Sequence, residues 1–480
     1  MSRNWIVCLV LALTLVSSNA ARAEEDWLSL RPTFLVGGSD VENNGFDTGF
    51  YLGTTLRAVE FWEGVSAEAE ISLFAGNGYG HGYGYGREGL QLTDNSSYLR
   101  FSWRPSPWEQ GEGLSLTILP LHANRLYLGY ESDLMWQGTL NTRAASYSTT
   151  YGPYGRTISG AELKLARENW YGSLALKSLA MLNDKTHDAE RQYTVLLSGG
   201  ADLFSRLQVE VSGGYAEQGT NPSTSVLGAS VAGRALAGRL IYHCGPVVGA
   251  PVDFSRYSSD PEGYEKLTRR EPYFGGFSAA VIAEGLIFDQ RGLASPDEDG
   301  RTVSQAGYAA SVEARMKWDS LRAFLRGQSR SLTWLLQSVP SYPQFTGLPR
   351  ETEISPEFGL TAGMDYHFER AGLTPGLIVG VGAPAWFMAN DYGVPSGHGH
   401  RVLVKDLNTF ISIPSSASVK PVYELKATLR WDVWKVSAVG EACYTHEGNR
   451  FEFRYDATGS KPVEVAPSIF GFNALIQARF

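Results

Sequence analysis

The chain has 480 residues with 41 Lys+Arg against 50 Asp+Glu, a net charge of −9, and is 43% hydrophobic, 12% aromatic and 19% charged. That apolar and aromatic content excludes a disordered chain, three cysteines exclude a disulfide scaffold, and an acidic balance without a basic block argues against nucleic acid. A mean hydropathy of −0.17 with no second long apolar run excludes a helical membrane protein; a soluble globular protein or a transmembrane β-barrel remains, because a barrel alternates lipid-facing and lumen-facing residues and so has a soluble-looking average.

The N-terminus bears on the compartment. Met1-Ser2-Arg3-Asn4 is a short basic start, residues 5–16 are almost unbroken apolar sequence, and Ala21-Arg22-Ala23 has the small-residue spacing of a cleavage site. This reads as a secretory leader over residues 1–23, too short for an anchor helix. Its removal takes away Arg3, Cys8 and Arg22 and leaves residues 24–480 as a single domain. Nothing in the separation of Cys244 and Cys443 predicts a bridge, and two free thiols are expected.

From there the chain is written in a period of two. Val65, Ala67, Ala69, Ile71 and Leu73 oppose Ser66, Glu68, Glu70 and Ser72. Leu99, Phe101 and Trp103 oppose Arg100, Ser102 and Arg104; Leu163 and Leu165 oppose Glu162 and Lys164; Val209 and Val211 oppose Gln208 and Glu210. Ala310, Val312, Ala314, Met316 and Trp318 oppose Ser311, Glu313, Arg315 and Lys317. Tyr423, Leu425, Ala427, Leu429 and Trp431 oppose Glu424, Lys426, Thr428 and Arg430. Strict alternation gives each strand one apolar and one polar face. A soluble sandwich alternates too, so further features must decide. Short turns such as Glu168-Asn169, Ser205-Arg206 and Asp319-Ser320 alternate with long polar loops at 38–48, 76–95, 133–155 and 291–303. Trp103, Trp170, Trp318, Trp431, Trp434 and Tyr444 fall near strand ends, where membrane interfaces collect aromatic rings.

The chain ends on Phe480. Phe470, Phe472, Ala474, Ile476, Ala478 and Phe480 share one face and Asn473, Gln477 and Arg479 the other, with Leu475 a lapse. This segment resembles the closing strand of bacterial outer-membrane β-barrels of the porin-like class. The resemblance implies that Phe470, Phe472, Ile476 and Phe480 form the signal read by the barrel assembly machinery.

The expected fold is therefore all-β: an antiparallel up-and-down transmembrane barrel of about eighteen strands, within sixteen to twenty, with both termini at the periplasmic end. The predicted strands include 114–130, 226–243, 273–288, 321–334 and 373–388. This count leaves a long periplasmic segment at 245–270 and a long external one at 389–420, either of which could hide a further hairpin. A barrel of this size leaves an aqueous lumen unless loops plug it. The expected lining is Glu68, Glu70, Arg100, Arg104, Glu313, Arg315, Lys317, Arg322, Arg326, Arg330, Glu424, Lys426 and Arg430. Arg315, Lys317, Arg322, Arg326 and Arg330 lie on one hairpin and form either a basic stripe that favours anions or half of a set of cross-strand pairs.

Other motifs carry less. The Gly/Tyr tract over residues 78–86 reads as a mobile external tip or a surface that grips a partner. His398 and His400, even with His81, make a weak metal motif, so no metal or cofactor is expected. His243 beside Cys244 reads as a strand-end pair, and no nucleophile elbow or metalloprotease motif appears, so an enzyme is not expected. The leading functional expectation is a channel for hydrophilic solutes across the outer membrane. The alternatives are a conduit for polysaccharide export and a structural barrel anchoring an envelope, motility or adhesion complex. The partners expected are outer-membrane lipid, the assembly machinery during insertion and a periplasmic export or envelope complex.

Overall fold

The computed structural model describes residues 28–39, 46–77, 91–109, 111–123, 125–130, 134–137, 158–182, 189–221, 223–257, 275–297, 300–336, 345–349, 352–389, 400–405, 409–456 and 459–480. The leader at 1–23 and the Gly/Tyr tract at 78–86 lie outside these residues.

Alternation becomes strand, and strand becomes wall. Eighteen strands make the wall: β1 (Leu28–Ser39), β2 (Phe46–Trp62), β3 (Val65–Asn77), β4 (Tyr98–Trp103), β5 (Gly113–Leu119), β6 (Ile158–Arg167), β7 (Trp170–Leu182), β8 (Ala189–Phe204) and β9 (Leu207–Thr220). They continue with β10 (Ser230–Cys244), β11 (Phe277–Ala294), β12 (Thr302–Trp318), β13 (Leu321–Arg330), β14 (Glu357–Tyr366), β15 (Leu373–Ala383), β16 (Val422–Val433), β17 (Val436–Glu447) and β18 (Ser468–Ala478). Each pairs antiparallel with the next, and β18 returns to β1 in the register Phe34↔Ile476, which closes the cylinder. Across the seam Gln477 Nε2 donates to Thr33 Oγ1 at 2.9 Å. Closure removes the sheet edges that an open wall would expose.

The two faces differ in chemistry. On β12, Ser311, Glu313, Arg315 and Lys317 are buried inside while Val312, Met316 and Trp318 are exposed outside. Leu197, Leu236, Leu325, Leu377 and Leu429 are likewise exposed on the outer face. Exposed rings mark both rims of this apolar band: Trp62, Trp103, Trp170, Trp318 and Trp434 at the short-turn end, and Tyr193, Tyr215, Phe358, Tyr423 and Phe470 at the other. A closed wall with apolar groups outside and charges inside suits a bilayer, where every backbone group must be paired within the wall. The wall is that of a membrane-spanning β-barrel of the outer-membrane type, and the end that carries its short turns is termed periplasmic and the other external, after the general pattern of such barrels.

Several strand limits differ from the sequence reading, each for a local reason. The strand expected over 114–130 stops at Leu119, because Pro120 has no N–H for the ladder, and the following residues turn into the barrel. The strand expected over 321–334 stops at Arg330. A one-turn helix, α2 (Leu332–Leu336), follows, and Ser331 Oγ accepts from Trp334 N at 3.2 Å. The strand expected over 373–388 stops at Ala383, before Pro384. Ala385–Ala389 instead joins Ile354–Ser355, His400–Lys405 and Thr409–Pro414 in a four-stranded sheet at the external end. The strand expected over 273–288 begins at Phe277 and continues to Ala294, which shortens the loop expected at 291–303; that over 226–243 begins at Ser230. The described part of the 245–270 segment enters the barrel and ends in the helical turn α1 (Phe254–Tyr257).

Candidate functional site: the narrowed lumen

The interior charges come in sets, and each set is held by register. On β3, Glu70 sits opposite Thr55, and its carboxylate accepts from Arg31 Nη2 at 2.8 Å and from Arg125 Nη2 at 2.6 Å. One step toward the periplasm, Glu68 accepts from Arg57 at 3.0 Å, Arg100 at 3.4 Å and the Tyr98 hydroxyl at 2.5 Å. Arg104 is at the periplasmic rim, 3.8 Å from Glu60. On the opposite wall, Glu313 lies between Arg256 and Arg315, each at 2.6 Å. Arg322 grips Asp365 through two contacts of 3.0 and 2.5 Å. Arg330 does the same to Glu357, both at 2.9 Å. Lys317 and Arg326 are buried on this same interior face. Lys426 contacts Asp253 at 2.9 Å and Glu424 at 3.2 Å, and Arg430 contacts Asp432 at 2.8 Å. The stripe of bases on the β12–β13 hairpin is thus interleaved with carboxylates from β12 and β14, and the in-folded chain adds Arg256 to Glu313.

Sequence reasoning missed several of these partners. Arg31, Glu357 and Asp365 occupy inward positions of β1 and β14, and a complete alternation count would have found them. Asp253 and Arg256 belong to a segment with no strand pattern, so no periodic signal marks them, and Arg125 falls in the part of the expected strand 114–130 that turns into the barrel.

The first in-folded segment lies within 120–137, between β5 and β6, and its described residues are 120–123, 125–130 and 134–137. Leu128 and Trp136 bridge each other through backbone bonds of 2.9 and 2.7 Å. Their side chains, with Leu126 and Leu134, pack on Ile158, Leu179, Leu196, Ala216 and Ala235 of the wall. Glycine allows the close approach. A Cβ at Gly160 would meet Ala123 Cβ at 2.6 Å, and one at Gly214 would meet Trp136 Cζ3 at 2.9 Å. Buried Lys177 donates to the carbonyls of Leu126 at 2.8 Å and Gln137 at 2.6 Å, tying the start and end of the fold to β7. Together these contacts hold a loop inside the wall by burial and by satisfied polar groups.

The second is a strap, residues 246–257, entering from the periplasmic end. Val248 O accepts from Arg315 Nη1 at 3.3 Å. Val252 packs against Leu35, Val439 and Leu475, so the apolar lapse at Leu475 is the strap's seat. Phe254 N donates to Glu441 Oε2 at 3.0 Å, and Lys426 Nζ donates to Ser255 Oγ at 2.6 Å as well as to Asp253. Burial alone would raise the Asp253 carboxyl; Lys426, Ser255 and Arg256 outweigh it and hold it below its ordinary value.

Among the recesses that the described residues line, two open ones face the lumen. One of about 520 Å³ faces the external half of β13–β18, between Glu357, Thr361, Gly380, Glu424, Cys443 and Thr445. The other, about 580 Å³, faces the periplasmic half of β3–β6, between Arg100, Ser102, Arg104, Ser115, Glu162 and Lys164. Cys443 and Cys244 are free thiols. Among the described residues no group of three or more His, Cys, Asp or Glu side chains could hold a metal; His81 and His398 lie outside them. On the closing strand Phe470 and Ile476 are exposed on the outer face, and Phe472 and Phe480 are partly buried.

No protein-family profile matches the chain, and no curated protein is similar to it in sequence. Solved structures do resemble it. Pseudomonas aeruginosa OpdQ is 9% identical over 94% of this chain and 97% of its own, with a TM-score of 0.46. The outer-membrane protein OpdK of the same organism is 10% identical over 94% and 98%, with a TM-score of 0.45, and a further OpdK structure, termed OccK1, gives 10%, 94%, 98% and 0.47.

Proposed function

We propose that this barrel is a channel that passes small hydrophilic solutes across the outer membrane. The observation that carries the reading is a charged interior that two inward segments narrow and that still keeps two recesses of over 500 Å³. Interior carboxylates and guanidinium groups replace part of a solute's hydration, while the apolar outer face holds the wall in lipid. The same two segments favour small solutes over an exported polymer, which needs a wide and continuous bore. Because Arg315, Arg322 and Arg330 of the basic hairpin are paired with carboxylates, the reading is a channel of weak ion selectivity and not a strongly anion-selective one. Insertion of the barrel is assigned to the assembly machinery through Phe470, Phe472, Ile476 and Phe480; replacing Phe480 with Ser should lower the amount of heat-modifiable barrel in outer membranes.

The test is single-channel recording of the refolded barrel in a planar bilayer under a salt gradient. Steady conductance steps with a small reversal potential are expected. Silence from a barrel whose folding is proven by its altered migration in unheated SDS gels would overturn the reading.

A further inference from the structure

The 120–137 loop and the strap lean on different arcs of the wall. Residues 120–137 lean on β3 and on β6 to β10, through Glu70, Gly160, Lys177, Leu196, Gly214 and Ala235. The strap leans on β12, on β16 to β18 and on β1, through Glu313, Lys426, Glu441, Leu475 and Leu35. They therefore obstruct opposite sides of the lumen.

They also obstruct it at different depths, and adjacent inward residues show this. On β16 the strap is held by Lys426, while Glu424, the next inward residue toward the outside, lines the external recess. On β17 the strap is held by Glu441, and the next inward residue outward, Cys443, lines the same recess. On β6 the relation is inverted. Gly160 touches the 120–137 segment, and the next inward residues toward the periplasm, Glu162 and Lys164, line the periplasmic recess. On β5, Leu119 belongs to the cluster under that segment, and Thr117 and Ser115 line the recess below. Two residues along a strand are about 6–7 Å, so each recess opens directly past one obstruction.

Building on the channel reading, we infer that solute crosses this barrel obliquely. It enters the recess of Glu357, Glu424, Cys443 and Thr445 on the β14–β17 side. It then passes between the 120–137 segment and the strap, and leaves through the recess of Arg100, Ser115 and Lys164 on the β4–β6 side. A permeant molecule meets a carboxylate-bearing wall first and a mixed wall with Arg100, Arg104 and Lys164 last. Selection then depends on a solute short enough to turn within the lumen.

The native Cys443 gives the test its handle. In a Cys244→Ser background the folded barrel is treated with the anionic methanethiosulfonate ethylsulfonate, and labelling is followed by mass and by bilayer current. Thr445→Cys serves as a second probe of the external recess. Ser115→Cys, Ala216→Cys and Val439→Cys are made with Cys443→Ser; the first probes the periplasmic recess, and the others lie under the loop and under the strap. Labelling at Cys443, Thr445→Cys and Ser115→Cys at least tenfold faster than at Ala216→Cys and Val439→Cys, with a stepwise fall in current, is expected. The external side should react first for Cys443 and the periplasmic side first for Ser115→Cys. Equal labelling at all positions, or full labelling of both recesses with unchanged current, would overturn the oblique path. A barrel that carries no current before labelling would overturn the channel reading instead.

Discussion

Asp253 Oδ1 and Lys426 Nζ lie 2.9 Å apart inside the barrel although 173 residues separate them in sequence. Both side chains are largely withdrawn from water, so neither can lose the other cheaply. Removing one partner of a buried pair typically costs about 3–5 kcal/mol, whereas removing both is far milder. Asp253→Asn should therefore free the strap, and single-channel traces should become larger and noisier. Asp253→Asn combined with Lys426→Met should lie closer to the parent. A double variant as perturbed as the single one would deny the pair its holding role.

The same pair fixes a direction for pH. The Asp253 carboxyl is held below its ordinary value, because the nearby cations and Ser255 outweigh the effect of burial. A depressed folded value means that the stabilisation is fully present above the unfolded value of about 3.9 and is lost as pH falls through the folded one. Conductance should stay constant from neutral pH down to about 4 and rise only in stronger acid. A change already present near pH 6 would point to another group.

Lys177 predicts the behaviour of the other segment. Lys177→Met removes both donors to the carbonyls of Leu126 and Gln137. Each buried carbonyl left without a partner costs about 1–3 kcal/mol. Proteolysis of the 120–137 segment should accelerate while the wall keeps its heat-modifiable migration. Unchanged cleavage would mean that the apolar cluster around Trp136 suffices.

The basic hairpin makes a prediction about stability and selectivity together. Arg322 is bonded to Asp365 and Arg330 to Glu357. Arg322→Met should lower the temperature at which the barrel loses its SDS resistance, since Asp365 is left buried without its guanidinium. Its reversal potential under a salt gradient should move little. A large swing toward cations would revive a free anion-attracting stripe.

The outer face is tested at Leu197, in the middle of β8 and exposed to the bilayer. Leu197→Arg should destabilise the barrel by about 2–4 kcal/mol in lipid, measured as a shift of the urea unfolding midpoint in vesicles. An unaffected midpoint would place this face against protein or water.

The wall was legible in the sequence because a period of two needs no knowledge of partners. Val65–Asn77 and Val422–Val433 run at or near the positions their alternation implies. What lay inside was not legible. Leu119 and Leu126 look alike in a hydropathy pattern, yet Pro120 between them sends the chain from the wall into the lumen. Asp253 and Arg256 sit in a stretch without periodicity, and their meaning comes from Lys426 and Glu313, which only the folded wall brings near. Leu475 broke the alternation of the last strand, and that break was itself a signal: an apolar side chain facing a polar interior needs an apolar neighbour, here Val252.

That neighbour has a consequence for assembly. Val252 rests on Leu35 from the first strand and on Val439 and Leu475 from the last two, so its seat straddles the joint where the cylinder closes. A segment made midway through synthesis has no complete place to settle until the final strand has paired with the first. Docking is thereby a late event in biogenesis, and a long-range one, set by closure of nearly the whole chain. Once made, it rivets the joint from within, adding an apolar contact to the hydrogen bonds that close the cylinder.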